Sequence, residues 1–239
     1  MSDHATTGAG TPGAAAAPEE RFLAHHFPTM QAQSDTSKLG IWLFLGSEVL
    51  FFSGLFVAYG VYRANHYALF QYAHNFLDWR MGALNTVVLV GSSVSAAWSV
   101  RCAQLGQRRG LRIALLLTLL LAGMFLVVKY FEYSHKLHNG IAWGAACNPS
   151  KEILATLPAA LQGVAPPRDL GTFFSIYYLM TGLHGIHVLV GMGLYVWLIR
   201  RAGRGDFGPG YYGPVDVVAL YWHLVDMIWI FLFPLLYLI

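Results

Sequence analysis

The sequence predicts an all-α, polytopic membrane protein: a bundle of five transmembrane helices with a cytoplasmic N-terminus. Hydrophobic residues make up 56% of the 239 residues, charged residues make up only 11%, and the mean hydropathy is +0.50. A soluble domain carries about 25% charged residues. Uncharged apolar runs recur along the chain, and runs of about 20 residues cross a bilayer as helices, whereas barrel strands are about 10 residues long and alternate.

Five such segments define the predicted membrane domain, residues 38–239. The spans are 39–62, 81–101, 111–133, 170–200 and 215–238. The third span contains the shortest uncharged run, Ile113–Val128. It crosses the membrane if Arg112 or Lys129 extends its side chain to the interface.

Residues 1–37 are predicted to form a cytoplasmic tail. The first 20 residues are small and polar with no apolar core, which is typical of disorder and unlike a signal peptide. From Arg21 onward the tail is amphipathic enough to lie along the membrane interface. Ser34, Asp35 and Thr36 are candidate N-caps of the first span.

The distribution of Lys and Arg predicts the orientation. With five spans, nine basic residues fall on the side of the N-terminus and six on the opposite side, where three are scattered over long loops. Dense basic residues in short loops favour the cytoplasm. The net charge of +3 therefore reflects topology rather than nucleic-acid binding. Cys102 and Cys147 fall on opposite sides, and no C-x-x-C-H motif for covalent haem is present.

Glu48 is the single formal charge within the first span. A membrane-embedded carboxylate is a functional candidate by default, and two interpretations are open: a proton-exchanging group or polar anchor in a cleft, or a structural hydrogen bond between helices. Gly40, Ser47 and Gly54 recur every seven residues beside it, and such a small-residue seam lets another helix approach closely.

The last two spans carry histidines at helical spacing. His184 and His187 lie three residues apart, as do His223 and Asp226. Metal or haem ligation would need ligands from both helices, so hydrogen bonding within the bundle or to lipid headgroups is the favoured interpretation. His223 and Asp226 are predicted to pair directly, which would make a buried charge tolerable.

Two further features favour a structural role over a catalytic one. Lys129 and Glu132, at three-residue spacing, predict an ion pair at the membrane interface that contributes little energy. The second span is rich in small residues, which is typical of a packing helix: Gly91, Ser92, Ser95 and Ser99. Neither a nucleophile with its base nor a phosphate loop nor a metal cage is visible in the sequence.

Ordered motifs from Lys38 to the C-terminus resemble subunit III of the haem–copper cytochrome c oxidases. They are "GSEVLFFSGLF" (46–56), "LNTVVLVGSSVSAAW" (84–98), "EY" (132–133), "GTFF" (171–174) with "TGLHGIHVLVG" (181–191), and "YWHLVDMIWIFLFPLLY" (221–237). The resemblance implies a subunit that binds no haem, no copper and no other metal. It also implies a subunit that packs on subunit I, holds phospholipid in a cleft between its helices and supports proton uptake.

The resemblance also assigns positions. Glu48 takes the place of the family's intramembrane glutamate, His184 and His187 those of G-x-H-G-x-H, and His223 and Asp226 those of Y-W-H-x-V-D. Glu48 is therefore expected to be a protonatable carboxylate at the lipid cleft and the subunit I interface.

Two departures from the family pattern stand out. The seven-helix form has two further helices before the S-E-V-L-F-F helix, so this chain resembles the five-helix bacterial type, and its cleft is either more open or completed by another subunit. The outer loop over residues 136–169 is longer than usual and unlike the usual segment.

The sequence thus predicts a non-catalytic integral subunit of a terminal oxidase in a bacterial inner membrane. Subunits I and II, small subunits and phospholipid are the expected partners, a respiratory supercomplex is possible, and haem and copper are expected in the partner subunits. Open alternatives are the equivalent subunit of a quinol oxidase, a relative associated with nitric oxide reduction, an autonomous proton channel and a haem-binding membrane protein.

Overall fold

The computed structural model describes residues 22–238, and these form a bundle of long helices. In chain order the helices are α1 (Met30–Asn65), α2 (Tyr67–Ala73), α3 (Trp79–Gln104), α4 (Arg108–His138), α5 (Lys151–Ala155), α6 (Leu170–Arg204) and α7 (Gly213–Tyr237). Five of them (α1, α3, α4, α6 and α7) are long and apolar enough to cross a membrane. The structure is 79% helical, which confirms the predicted all-α fold with five spans. Most of the predicted tail lies outside the described residues.

The five long helices run antiparallel from one to the next. We call the end of the bundle that contains Met30, Gln104, Arg108, Arg204 and Gly213 the inner end, because the sequence predicts that it faces the cytoplasm. The opposite end is the outer end.

Helix α1 begins earlier than the sequence predicts. Its N-cap is Thr29, whose hydroxyl accepts a hydrogen bond from the Ala32 amide at 3.1 Å, and not one of the polar residues at 34–36. Thr29 has an extended backbone that follows Pro28, so the chain enters the helix directly after this break. Asp35 and Thr36 then lie exposed within the first turns.

Helix α7 is the centre of the bundle and contacts α1, α3 and α6. In its most apolar segment 56% of the residues are buried, against 17% in α1, which therefore lies at the periphery. Trp222 and Trp229 of α7 are fully buried. Gly191 of α6 allows this packing, since a Cβ atom there would lie 2.6 Å from the Trp222 ring.

Helices α3 and α4 form a hairpin through the short turn 105–107, where Gly106 has a φ of +68°. The small side chains of α3 lie inside the bundle, as a packing helix requires. Ser95 and Thr118 share a hydrogen bond of 2.7 Å between α3 and α4. The indole N–H of Trp222 donates to the Ser92 hydroxyl at 3.0 Å, which joins α7 to α3.

The long outer loop is folded onto the bundle. Ile141, Ile153 and Leu157 are buried against the core. The Tyr178 hydroxyl of α6 donates to the Ile141 carbonyl at 2.8 Å. Ser150 caps α5 by accepting a hydrogen bond from the Ile153 amide. The loop therefore covers the outer ends of α4 and α6.

Candidate functional site

A lateral cleft of about 950 Å³ separates the inner half of α1 from α6 and α7. Polar side chains of α1 line its mouth at the inner end, and apolar ones follow deeper: Gln33, Ser34 and Ser37, then Ile41 and Phe44. The opposite wall is apolar and includes Ile186, Val190, Leu194, Trp197, Val218 and Tyr221. This distribution suits a molecule with a polar end and an apolar body.

His187 lines the deep end of the cleft, and Glu48, one helical turn beyond Phe44 on α1, joins it there to the opposite wall. The distance between Glu48 Oε2 and His187 Nε2 is 2.9 Å, and the two side chains are 18% and 19% exposed. The Phe52 and His187 ring centroids lie 5.1 Å apart with the ring planes 65° from parallel, and the Tyr221 hydroxyl donates to the His187 carbonyl at 3.0 Å. Both members of the pair were candidate residues, and the fold brings them together across 139 positions of sequence.

The hydrogen bonds of His187 determine where the proton of this pair lies. Its Nδ1 is 2.8 Å from the Leu183 carbonyl, which only accepts, so Nδ1 carries a hydrogen. Nε2 is then either unprotonated and faces a protonated Glu48, or protonated and faces a carboxylate. In both states one proton lies between Glu48 and His187.

The small-residue seam of α1 lies on its exposed face, and Gly40 at its inner end also borders the cleft. Gly40, Ser47 and Gly54 are exposed, and a Cβ atom at either glycine would meet nothing within 4 Å. The seam is therefore not an intramolecular contact in the described part of the chain. A second heptad series on the opposite face, Leu45, Phe52 and Tyr59, is buried against the bundle instead.

The predicted pair between His223 and Asp226 is absent, so that prediction is wrong. His223 Nδ1 lies 2.6 Å from the Ser93 hydroxyl of α3, which takes the histidine away from the carboxyl group. Asp226 is 3% exposed, and its oxygens make no hydrogen bond with the described residues. Ser92 and Ser93 lie beside the carboxyl group without the geometry of a bond. Asp226 is thus a polar group of the α3–α7 contact and not of the cleft.

His184 is fully buried in an aromatic environment. Its ring lies 5.5 Å from Phe125 and 5.2 Å from Trp229, and neither ring nitrogen has a hydrogen-bond partner among the described residues. The expected hydrogen bonds within the bundle are therefore not made. His184, His187 and His223 have different surroundings, and residues 22–238 contain no group of three or more His, Cys, Asp or Glu side chains that could hold a metal ion.

Lys129 and Glu132 form an ion pair of 2.9 Å, but in the interior and not at an exposed interface. They are 7% and 3% exposed because tyrosines of α6 and α7 close over them. Glu132 Oε1 also accepts hydrogen bonds from Lys136, Tyr237 and Tyr177, at 2.6, 2.6 and 2.9 Å. The predicted weak contribution is therefore a misjudgement, since loss of one partner from a buried pair is strongly destabilising.

Three members of this cluster were not predicted from the sequence. Lys136 could have been found, because Lys129 and Lys136 lie three residues before and four after Glu132, on one helical face. Tyr177 and Tyr237 could not, since their hydroxyls reach Glu132 only through the packing of α6 and α7 on α4.

Five long apolar helices around a largely apolar core with a few buried polar groups, and a cleft open to one side, define an integral membrane protein that crosses the bilayer five times. The sequence profile of the cytochrome c oxidase subunit III family matches residues 15–145 and 169–239. The chain therefore belongs to the cytochrome c oxidase subunit III family and is a subunit of a haem–copper oxidase complex, in which it associates with other oxidase subunits. The unmatched residues 146–168 fall within the long outer loop.

Individual relatives agree with this assignment. A probable cytochrome c oxidase subunit 3 of Nocardia farcinica is 31% identical over 232 residues, which are 97% of this chain and 98% of the relative. The cytochrome c oxidase subunit 3 of Corynebacterium diphtheriae is 32% identical over 204 residues, or 84% and 87% of the two chains. That of Loxodonta africana is 29% identical, over 92% of this chain and 74% of its own.

Proposed function

We propose that the chain is the non-catalytic structural subunit of a terminal oxidase in a bacterial inner membrane. In this proposal it packs on the catalytic subunit, holds phospholipid in the lateral cleft and supports proton uptake by the complex. Haem and copper lie in the partner subunits, which reduce oxygen to water and move protons outwards. The observation that carries the proposal is the lateral cleft with the Glu48–His187 pair at its deep end.

The shape of the cleft supports phospholipid as its occupant. A lipid headgroup meets the polar side chains of the mouth, where Gln33, Ser34 and Ser37 offer hydrogen-bond donors and acceptors. Acyl chains then contact the apolar walls formed by Phe44, Val190 and their neighbours. Because the cleft opens sideways from helices that cross the membrane, its occupant can enter from the surrounding bilayer.

The open face of α1 supports a contact with another membrane subunit. α1 is the least buried of the five spans, and its small-residue seam offers close approach to a helix that this chain does not provide. A helix of the catalytic subunit seated on Gly40, Ser47 and Gly54 would lie beside the cleft and within reach of Glu48. Such a contact would also supply the wall that the seven-helix form builds from its own additional helices.

The electron donor is a property of the catalytic partner. Membership of the family supports a cytochrome c oxidase. In a quinol oxidase or a relative linked to nitric oxide reduction, this chain would make the same contacts with the catalytic subunit. Purification through this chain in mild detergent, followed by haem spectra and assays with each donor, distinguishes these complexes. A haem band that stays with the isolated chain would contradict the assignment of haem to the partners.

A matched pair of glycine variants tests the lipid cleft. Gly40 lines the cleft and Gly60 lies on the outer half of α1, and both have open space around an added side chain. We expect Gly40→Trp to reduce the phospholipid that remains with the purified complex, because the indole fills the mouth. Gly60→Trp should retain the wild-type amount. Equal lipid retention in both variants, measured by mass spectrometry of extracted lipids, would contradict the cleft as the lipid site.

A further inference from the structure

The segment before α1 crosses the mouth of the lateral cleft. We name residues 22–29 the strap. At one end the Phe22 ring stacks on Tyr211, with centroids 4.4 Å apart and ring planes 6° from parallel. Tyr211 belongs to the α6–α7 connection and lines the cleft. Phe22 itself is not among the lining residues, so it contacts the mouth from outside.

The same end of the strap is also fixed to the α1 wall. The Gln33 side chain accepts a hydrogen bond from the Ala24 amide at 2.8 Å and donates one to the Phe22 carbonyl at 3.2 Å. The strap then turns, with a bond of 2.9 Å from the Phe27 amide to the Ala24 carbonyl, and enters α1 after Thr29. Residues 22–24 thus contact both walls of the cleft at its inner end.

Arg201 organises the far wall under this contact. Its guanidinium lies 5.8 Å from the Phe22 ring and 5.4 Å from the Tyr211 ring, and Asp206 accepts a hydrogen bond from its Nε at 2.8 Å. Aromatic rings around a guanidinium gain from cation–π attraction. The strap therefore docks on a prepared surface rather than on a mobile loop.

We propose that the strap is a closing device that controls exchange of the molecule held in the cleft. Release of the Phe22 ring from Tyr211 would free the mouth while the Glu48–His187 pair keeps the deep end closed. Once the strap no longer covers its headgroup end, an occupant leaves sideways into the bilayer. This inference rests on the proposed role of the cleft as a lipid site.

The test compares lipid exchange in purified complexes that carry strap variants. The probe is a phospholipid with a fluorescent acyl chain, and the measured quantity is its rate of release from the intact complex. We expect Phe22→Ala to release it about two- to tenfold faster, the range that corresponds to one aromatic stack. Phe22→Tyr, which keeps the ring, and His25→Ala, an exposed strap position, should match the wild type.

A second variant keeps the test independent of strap folding. Tyr211→Ala removes the same stack from the opposite wall, so the double variant should release the probe no faster than either single variant. Wild-type release in Phe22→Ala would overturn the strap as a closing device. A wild-type complex that retains no slowly exchanging phospholipid would overturn the proposed lipid site, and the strap inference with it.

Discussion

Glu48 and His187 are connected by one proton, and this determines what each substitution does. A glutamine at position 48 can still donate an N–H to the bare Nε2 of a neutral His187, so it imitates the protonated acid. An alanine leaves the imidazole without its partner and opens the deep end of the cleft. Comparison of the two variants therefore separates proton exchange from structural support.

We expect Glu48→Gln to leave assembly of the complex intact but to lower proton uptake or shorten the working life of the oxidase. Glu48→Ala should in addition reduce the phospholipid retained by the complex, because the walls lose their cross-link. Proton uptake by reconstituted vesicles and activity during prolonged turnover provide the measurements. Long-term turnover equal to the wild type in both variants would count against any protonic or lipid-organising role.

Glu132 is the only carboxylate that contacts the two buried ammonium groups among the described ion pairs. Glu132→Gln leaves Lys129 and Lys136 in the interior without a counter-charge, which costs about 3–5 kcal/mol in comparable buried pairs. We therefore expect a large loss of folded protein and a lower midpoint of thermal unfolding. Glu152→Gln, at an exposed position of α5, is the matched control and should behave as the wild type.

Individual contacts of the site were only partly predictable from the residues. Membrane depth alone singled out Glu48, since any carboxylate in an apolar span demands an explanation. Its partner was not predictable, because helical spacing relates residues on one helix and His187 lies on another. The same limit produced the wrong pair of His223 with Asp226, where Ser93 of α3 competes for the histidine.

At the scale of the helix, α1 has two heptad faces with different roles. Leu45, Phe52 and Tyr59 face the bundle, and Gly40, Ser47 and Gly54 face outwards. The Tyr59 hydroxyl also donates to the Leu235 carbonyl near the outer end of α7. The helix is thus fixed along its outer half, while its inner half forms one wall of the cleft.

We expect Gly54→Leu to disrupt association with the oxidase partner while this chain still folds. A Cβ atom there meets nothing within 4 Å in the described residues, so we expect a leucine to clash only with a neighbouring subunit. Gly193→Leu, at an equally open position of α6, serves as control. The measurement is the ratio of partner haem to this chain after affinity purification, and a wild-type ratio in Gly54→Leu would show that no helix packs on the seam.

The start of α1 shows why a capping residue is hard to place from the sequence alone. Uncharged length located all five spans, because no other fold accommodates such runs in a chain of this size. The predicted start of α1 was wrong. Ser34, Asp35 and Thr36 are suitable N-cap residues, but the helix already begins after Thr29, whose backbone is extended. Residue type identifies possible N-caps, and the extended backbone after Pro28 determines which of them is used.

For the whole molecule, the predicted orientation has direct chemical consequences. Cys147 lies in the outer loop and is partly exposed, whereas Cys102 is buried at the inner end of α3. If the N-terminus is cytoplasmic, a membrane-impermeant maleimide should label Cys147 in intact spheroplasts. Burial raises the pKa of the Cys147 thiol, so the reactive thiolate is scarce at neutral pH and labelling should accelerate as the pH rises.

The matched control for this experiment is Cys147→Ser, which should remove the labelling. Modification that requires permeabilised membranes would reverse the predicted orientation. The five-helix architecture was predictable because hydropathy is averaged over the length of each span. A cleft was expected only from the family resemblance, and its lining could not be predicted because it depends on the distance between α1 and α6, which no local pattern records.

The buried tryptophans of α7 give the molecule an intrinsic optical signal. Trp222 and Trp229 are fully enclosed and bound through their indole N–H groups to α3, while the other five tryptophans are exposed. Quenchers attached to acyl chains or dissolved in water should therefore quench the emission of the five exposed tryptophans but not that of Trp222 and Trp229. Separation of α7 from α3 would convert the spared emission into quenchable emission, so unfolding could be followed without any added label.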